Sequence, residues 1–332
     1  MAMKVAILGA GAWGTVLALL EAEAGHPVTL WARSESAAAE IEAQRENRRY
    51  LPGRKLAPGL TVTADIERTV RGADMIVVAV PSWAVRETLA LARGAIAAGA
   101  IVCCASKGLE PNTRLTMDAV IAEEAPGARV ALLSGPSFAV EIAVGLPAAV
   151  VAASRQVATA EEVQEAFSRE RFRVYTSDDA TGVAIGGALK NVMAIAVGFS
   201  DGLGFGSNAR AALITRGLHE LGRLASKLGG HPLTLAGLAG LGDLVLTCTG
   251  ELSRNRQVGL ALARGETLPA ILARLGHVAE GIGTARTARD LAVALGIDMP
   301  ITHLVAAVLH EGKPAREGVA ELLGRESKAE RG

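Results

Sequence analysis

Residues 4–14 read KVAILGAGAWG, and the helical pattern TVLALLEAEAG follows at once. A short apolar run, then Gly9, Gly11 and Gly14 in the spacing GxGxxG, then a helix: this order demands a strand, a tight turn and a helix packed back onto the strand. The glycines permit the turn, let backbone approach a pyrophosphate closely and let the helix pack tightly, while the helix N-terminus offers unpaired N–H groups to phosphates. The pattern therefore points to a dinucleotide site at the head of a βαβ series. Val5–Leu20, apolar apart from threonine and glycine, also has the look of a signal segment. Three glycines interrupt it, Glu21 and Glu23 follow it, and it is shorter than the roughly 20 residues a membrane helix needs. No other stretch reads as long and apolar enough to span a bilayer.

The rhythm continues through the first half. KVAIL, PVTLW, DMIVVAV, AIVCCA, RVALL and AAVVAA are short apolar runs without strict polar alternation, as expected of parallel strands covered on both faces, and helix-like spacers separate most of them. After RFRVY at 171–175 the rhythm stops and glycine-punctuated helical patterns take over. The expected fold is α/β, with an N-terminal Rossmann-type doubly wound sheet in residues 1–180 and an all-helical domain in residues 181–332. A chain of 332 residues with 50% hydrophobic content can fill two cores.

Charge and cysteine usage narrow the partners. Lys plus Arg equals Asp plus Glu at 34 each, so the overall field favours neither nucleic acid nor an anionic membrane. Cys103, Cys104 and Cys248 cannot all pair internally, and none stands in a zinc-type spacing with the six histidines. A reduced, cytoplasmic protein without a metal site is expected.

Residues 186–198, GGALKNVMAIAVG, are apolar or small everywhere except Lys190 and Asn191. An ammonium group inside such a helix is costly unless an acid holds its charge. Either the pair lines a cavity or the segment is not a buried helix. Three more stretches place polar groups in unusual settings. CCASKGLE puts Lys107 just past a buried strand, where open α/β sheets bind ligands, and LLSGPSFAVEI does the same with Ser134, Gly135 and Ser137. LAGLGDLVLTCTGELSRNRQVG brings Asp243, Thr247, Ser253, Arg254, Asn255 and Arg256 into a segment whose first half is otherwise apolar. Taken singly, these are a loop lysine, a helix cap and a solvated turn; together with a dinucleotide motif they suggest one cleft. The second strand ends TLWARSES, with Arg33 where an acid would bind a ribose hydroxyl. Arginine there suits a 2′-phosphate, which favours NADP(H) with NAD(H) as the alternative; a solvated loop arginine is the competing reading.

The motifs GAGAWGT, SKGLE, SGPSFAVE, LKNVMAIAVGFSDGLGFGSNARAALITRG, GLGDLVLTCTGELSRNRQVG and VAEGIGTA, in that order over nearly the whole chain, resemble those of the bacterial NAD(P)-dependent glycerol-3-phosphate dehydrogenases. The resemblance implies reversible reduction of dihydroxyacetone phosphate to sn-glycerol 3-phosphate at the head of phospholipid synthesis, in a cytoplasmic and usually dimeric enzyme. Carried over by position, it implies Lys190 as general acid/base. Around the substrate it groups Lys107, Gly135, Ser137, Lys190, Asp243, Ser253, Arg254 and Asn255. Around the cofactor it groups the turn residues Gly9, Gly11, Ala12, Trp13 and Gly14 with Arg33, Tyr50, Lys107, Ala139, Arg254, Val278 and Glu280. Tyr50 rests only on the general shape of ENRRYLPGRKL.

The chemistry asked of these residues is consistent with their types. A ketone oxygen that receives a hydride at its carbon needs a proton from a group titrating near working pH, and a lysine buried in apolar helix is lowered toward that range. Asp243 would limit the fall, Asn191 would hold neighbours by hydrogen bonds, and Arg254 with Asn255 would supply a fork and an amide for phosphate. Related 6-phosphogluconate and 3-hydroxyisobutyrate dehydrogenases resemble GGxxxK with Asn four residues on, whereas here Asn191 follows Lys190 directly and position 194 is Ala194. A non-enzymatic NADPH-binding sensor would need neither a placed lysine nor a placed aspartate.

Overall fold

The structure is a computed structural model and describes residues 2–275 and 279–324. Its strands are β1 (Val5–Leu8), β2 (Val28–Trp31), β3 (Leu60–Thr63), β4 (Met75–Val78), β5 (Ile101–Cys104), β6 (Arg129–Ser134), β7 (Ala148–Ala153) and β8 (Phe172–Ser177). They form one sheet in the order β3-β2-β1-β4-β5-β6-β7-β8. The interleaved helices are α1 (Ala12–Glu23), α2 (Glu35–Gln44), α3 (Ile66–Val70), α4 (Val85–Ala92), α5 (Met117–Glu124), α6 (Ala139–Ala143) and α7 (Val157–Phe167). β1 lies at the point where strand order reverses, and α1 follows it, so the glycine turn sits where doubly wound sheets place a dinucleotide.

The continuous apolar runs follow from burial on both faces. Val5, Ile7, Met75, Val77, Ile101 and Cys103 belong to one core cluster, and their neighbours Ala6, Leu8, Ile76, Val78, Val102 and Cys104 belong to the other. Neither parity of side chains faces water, so polar alternation is absent. Two strands depart from the expectation. β3 carries no clear strand signal in the sequence because it is an edge strand, LTVT, with only Leu60 buried. The reading of AAVVAA as one more parallel strand needs correction: β7 runs antiparallel to β6, Leu132 opposite Ala153, and β8 then runs parallel to β7. A two-sided strand carries the same apolar signature in either direction, so composition could not tell them apart.

From Ala180 onward the described chain is helical: α8 (Ala180–Gly202), α9 (Gly206–Lys227), α10 (Pro232–Leu235), α11 (Asp243–Thr249), α12 (Arg254–Ala263), α13 (Leu268–Leu275), α14 (Glu280–Leu295), α15 (Pro300–His310) and α16 (Ala315–Leu323). Asp179 caps α8 by accepting from the Gly182 amide at 2.8 Å. α8 is then buried without interruption from Ile185 to Ser200, wrapped by α9, α11, α12 and α14. A Cβ at Gly198 would lie 2.3 Å from the Arg256 carbonyl, and one at Gly259 2.1 Å from the Ile195 carbonyl. Glycine at both positions is therefore what lets α8 and α12 pack backbone to backbone.

The expectation about membrane-length segments also needs correction. α8, with 23 residues, is long and apolar enough to cross a bilayer, and so is Pro232–Thr249 with 18. Lys190 and the glycines break the run to the eye without lowering its average hydropathy enough. In the fold α8 is the central core helix, its apolar sides covered by protein. Pro232–Thr249 is no single α-helix, because a π-helical turn at Leu238–Gly242 separates α10 from α11.

Candidate active site

The site forms where the C-terminal ends of β5 and β6 meet the middle of α8. Lys107 follows β5, Gly135 and Ser137 lie between β6 and α6, Lys190 projects from α8, and Asp243 opens α11. Lys190 Nζ lies 2.6 Å from Asp243 Oδ1 and donates to Thr247 Oγ1 at 3.1 Å. From the end of β5, Lys107 Nζ lies 2.8 Å from Asp243 Oδ2 and also donates to the Gly135 carbonyl at 2.8 Å and Ser137 Oγ at 3.2 Å. Two ammonium groups share one carboxylate, which leaves the cluster one formal positive charge. That sign suits an anionic substrate.

Burial sets the electrostatics. It pushes the Lys190 ammonium down to about 8, Asp243 limits the fall, and Lys107 adds to it by repulsion. Burial acts to raise the carboxyl of Asp243, which is fully enclosed, yet Lys107 and Lys190 outweigh it and hold the group below the usual carboxylate range. Cys248, five residues beyond Asp243 in α11, is buried and its thiol is pushed up to about 12, so it stays protonated and inert.

A chain of amides ties the cluster to the remaining helices. Asn191 Nδ2 reaches the Lys107 carbonyl at 3.4 Å, Asn255 Nδ2 donates to Asn191 Oδ1 at 2.9 Å, and the Gly281 amide donates to Asn255 Oδ1 at 3.0 Å. Ser253 is the N-cap of α12, accepting from the Arg256 amide at 3.3 Å, so Arg254 and Asn255 stand in the first turn of that helix. Arg254 is exposed, whereas Arg256 is drawn away into an ion pair with Asp201 at 2.6 Å that fastens α12 to α8. Arg256 is thus a structural residue and not a solvated turn.

The structure brings the glycine turn together as a phosphate cradle would require. Gly9 has φ +120°, and a Cβ there would lie 2.7 Å from the Ala79 carbonyl; one at Gly14 would lie 1.9 Å from the Gly9 carbonyl. At Gly11, the N-cap of α1, a Cβ would meet nothing within 4 Å, and no side chain caps the helix. Ala12 and Trp13 form its first turn, and Trp13 Nε1 is buried with no partner. These features fit a dinucleotide: open space over the turn, uncapped amides and an orphan donor beside them. Arg33 is exposed just past β2, Tyr50 is half-buried under the Arg49 guanidinium at 5.2 Å, and Ala139 begins α6. Val278 lies outside the described residues.

Several contributors carried no assigned role in the sequence. Thr247 stands four residues after Asp243, one turn along α11, which places both on the face toward Lys190. Ser82 binds Glu280 through its amide at 3.1 Å and its hydroxyl at 2.6 Å, joining the segment after β4 to the start of α14. No local pattern marks Ser82, because its partner is 198 residues away. Leu109, two residues past Lys107, is buried in the same core cluster as the apolar residues of α8 and anchors the Lys107 loop there.

Residues 4–160 match the family described as NAD-dependent glycerol-3-phosphate dehydrogenase N-terminus, and residues 179–320 match the corresponding C-terminus. The glycerol-3-phosphate dehydrogenase [NAD(P)+] of Anaeromyxobacter sp. (strain K) is 50% identical over 331 residues, covering 99% of this chain and 100% of the relative. That of Thiobacillus denitrificans is 52% identical over 330 residues, with 99% and 100% covered. The crystal structure of glycerol-3-phosphate dehydrogenase from Coxiella burnetii superposes with a TM-score of 0.94 at 43% identity, covering 98% of this chain and 99% of that one.

Proposed function

The chain belongs to the NAD-dependent glycerol-3-phosphate dehydrogenase family, an oxidoreductase using a nicotinamide cofactor, and from that premise we propose that Lys190 is its general acid/base. The observation that carries this reading is the 2.6 Å contact between a buried Lys190 and Asp243, with the ammonium lowered to about 8. The substrate pair is dihydroxyacetone phosphate and sn-glycerol 3-phosphate. When bound, the cofactor supplies a hydride to the ketone carbon. Lys190 gives its Nζ proton to the substrate oxygen as charge develops there, and takes it back in the reverse direction. Asp243 holds Nζ in place and preserves its charge, while Lys107 polarises the same oxygen from the sheet side.

The phosphate falls to Ser253, Arg254 and Asn255 at the start of α12, with Gly135 and Ser137 closing the opposite wall. Arg33 gives the site a preference for NADP(H) over NAD(H). Residues 1–180 act as the dinucleotide domain and residues 181–332 as the substrate domain; the enzyme works as a cytoplasmic homodimer whose product enters glycerophospholipid synthesis. The direct test follows NADPH and NADH oxidation with dihydroxyacetone phosphate in wild type and Lys190→Met. Undiminished turnover in the variant refutes the role of Lys190.

A further inference from the structure

Asn47 lies in the loop between α2 and β3, 1% exposed, and spends its whole side chain on the glycine turn and its surroundings. Its Nδ2 donates to the Ala10 carbonyl at 2.9 Å and to Thr15 Oγ1 at 2.8 Å. Its Oδ1 accepts from the Tyr50 amide at 3.3 Å. Thr15 Oγ1 in turn donates to the Gly11 carbonyl at 2.8 Å. Both amide hydrogens of Asn47 are therefore committed, one directly to a turn carbonyl and one, through Thr15, to the next.

A pyrophosphate is repelled by carbonyl oxygens and attracted by N–H groups, and a peptide flanked by glycine can rotate to present either. We propose that Asn47 is a positioning residue for the cofactor's pyrophosphate: it draws the Ala10 carbonyl into the protein beside the Gly11 carbonyl, which the Thr15 amide of α1 already holds at 2.9 Å, so that the amides opening α1 face the space above Gly11. The same side chain fixes the backbone of Tyr50 to the turn, and the Leu51 amide adds a bond to the Asn47 carbonyl at 2.8 Å. Turn and loop thus form one unit. This inference rests on the dinucleotide reading of the glycine turn.

The test titrates NADPH and ADP-ribose into Asn47→Leu, which keeps volume and removes the bonds, and into Gly11→Val, which fills the open space. Asn47→Leu should weaken both ligands by roughly ten- to a hundredfold, while kcat at saturating cofactor and KM for dihydroxyacetone phosphate change far less. Thr15→Val should show a smaller loss in the same direction and Thr15→Ser near wild-type binding; these variants carry the test if Asn47→Leu does not fold. Loss of ADP-ribose binding in Gly11→Val but not in Asn47→Leu or Thr15→Val overturns the role of Asn47 alone. Normal binding in Gly11→Val overturns the reading of the turn, and the proposal with it.

Discussion

Lys190 and Asp243 meet at 2.6 Å although 53 residues separate them, and the second oxygen of the same carboxylate lies 2.8 Å from Lys107 Nζ. One aspartate at the head of α11 thus anchors a lysine from the core helix and a lysine from the sheet. Lys107 makes the charge on Lys190 more costly, and the aspartate offsets that cost. The sheet and the helical segment are joined electrostatically at the point proposed to handle the proton.

Lys190→Met should leave NADPH affinity within about threefold and lower turnover by roughly a hundredfold or more, the scale of general acid/base catalysis. Methionine keeps most of the packing volume along α8 and removes the titrating group. Steady-state kinetics beside a cofactor titration separate the two effects. Near-normal kcat would take Lys190 out of the mechanism.

Asp243→Asn should move the pH profile. Reduction needs charged Lys190, so wild-type kcat/KM for dihydroxyacetone phosphate should fall as pH rises through about 8. Asp243 raises that titration point, and without it burial and Lys107 lose their main opposition. The basic limb should then shift to lower pH, and the acidic limb of the oxidation direction should shift with it. Profiles with limbs at unchanged pH would show that a different group titrates.

The legible parts of this chain were those in which one local pattern has one physical cause. The glycine turn could be read because Gly9 and Gly14 each face backbone too closely for a side chain, and helix α8 because nineteen of its residues are buried. Lys190 was conspicuous by contrast with that helix. Strand β3 was not legible, since an edge strand with one buried residue has neither pattern. The direction of β7 was not legible either, because pairing direction is decided by the connection and leaves no mark on a strand covered on both faces. Ser82, Asn47 and Leu109 act through partners remote in sequence. Only the folded chain reveals such pairs.

Arg33 stands exposed at the end of β2, where a 2′-phosphate would be met. Its charge-assisted hydrogen bonds should give NADPH roughly a tenfold or larger advantage over NADH. Fluorescence titration of both reduced cofactors against wild type and Arg33→Ala reads this directly. The ratio should collapse toward unity in the variant; an unchanged ratio would assign the preference elsewhere.

Glu21 should make the fold less stable as pH rises. Its fully buried carboxyl has Arg169 at 3.3 Å from Oε1, while Oε2 makes no hydrogen bond. Burial pushes it up from 4.5 to about 8, with Arg169 opposing. The folded form therefore keeps a proton that the unfolded chain loses above 4.5. Stability contributed by that proton is full below this value and declines toward pH 8, by at most about 1.4 kcal/mol per pH unit. Glu21→Gln is neutral throughout, so its Tm advantage over wild type should widen across that window and level off above it. Parallel Tm curves for the two proteins would mean that Glu21 is ionised in the fold at all these pH values.

Arg254 should select phosphorylated substrate. It is the first residue of α12, exposed, directly after the Ser253 cap, so a guanidinium fork and the amides of a helix start are presented together. The net positive charge of the Lys107, Lys190 and Asp243 cluster adds to the attraction. Binding energy gathered at the phosphate, away from the reacting carbon, orients that carbon toward Lys190, so its loss lowers turnover as well as affinity. Wild type should therefore reduce dihydroxyacetone phosphate and scarcely touch dihydroxyacetone. Arg254→Ala should lose most of that discrimination, and Arg254→Lys, which keeps charge without the fork, should fall between them. The measurement is kcat/KM for both ketones in all three proteins. A variant that still discriminates as sharply as wild type would place the phosphate on other residues, with Asn255 and Lys107 the next to be changed.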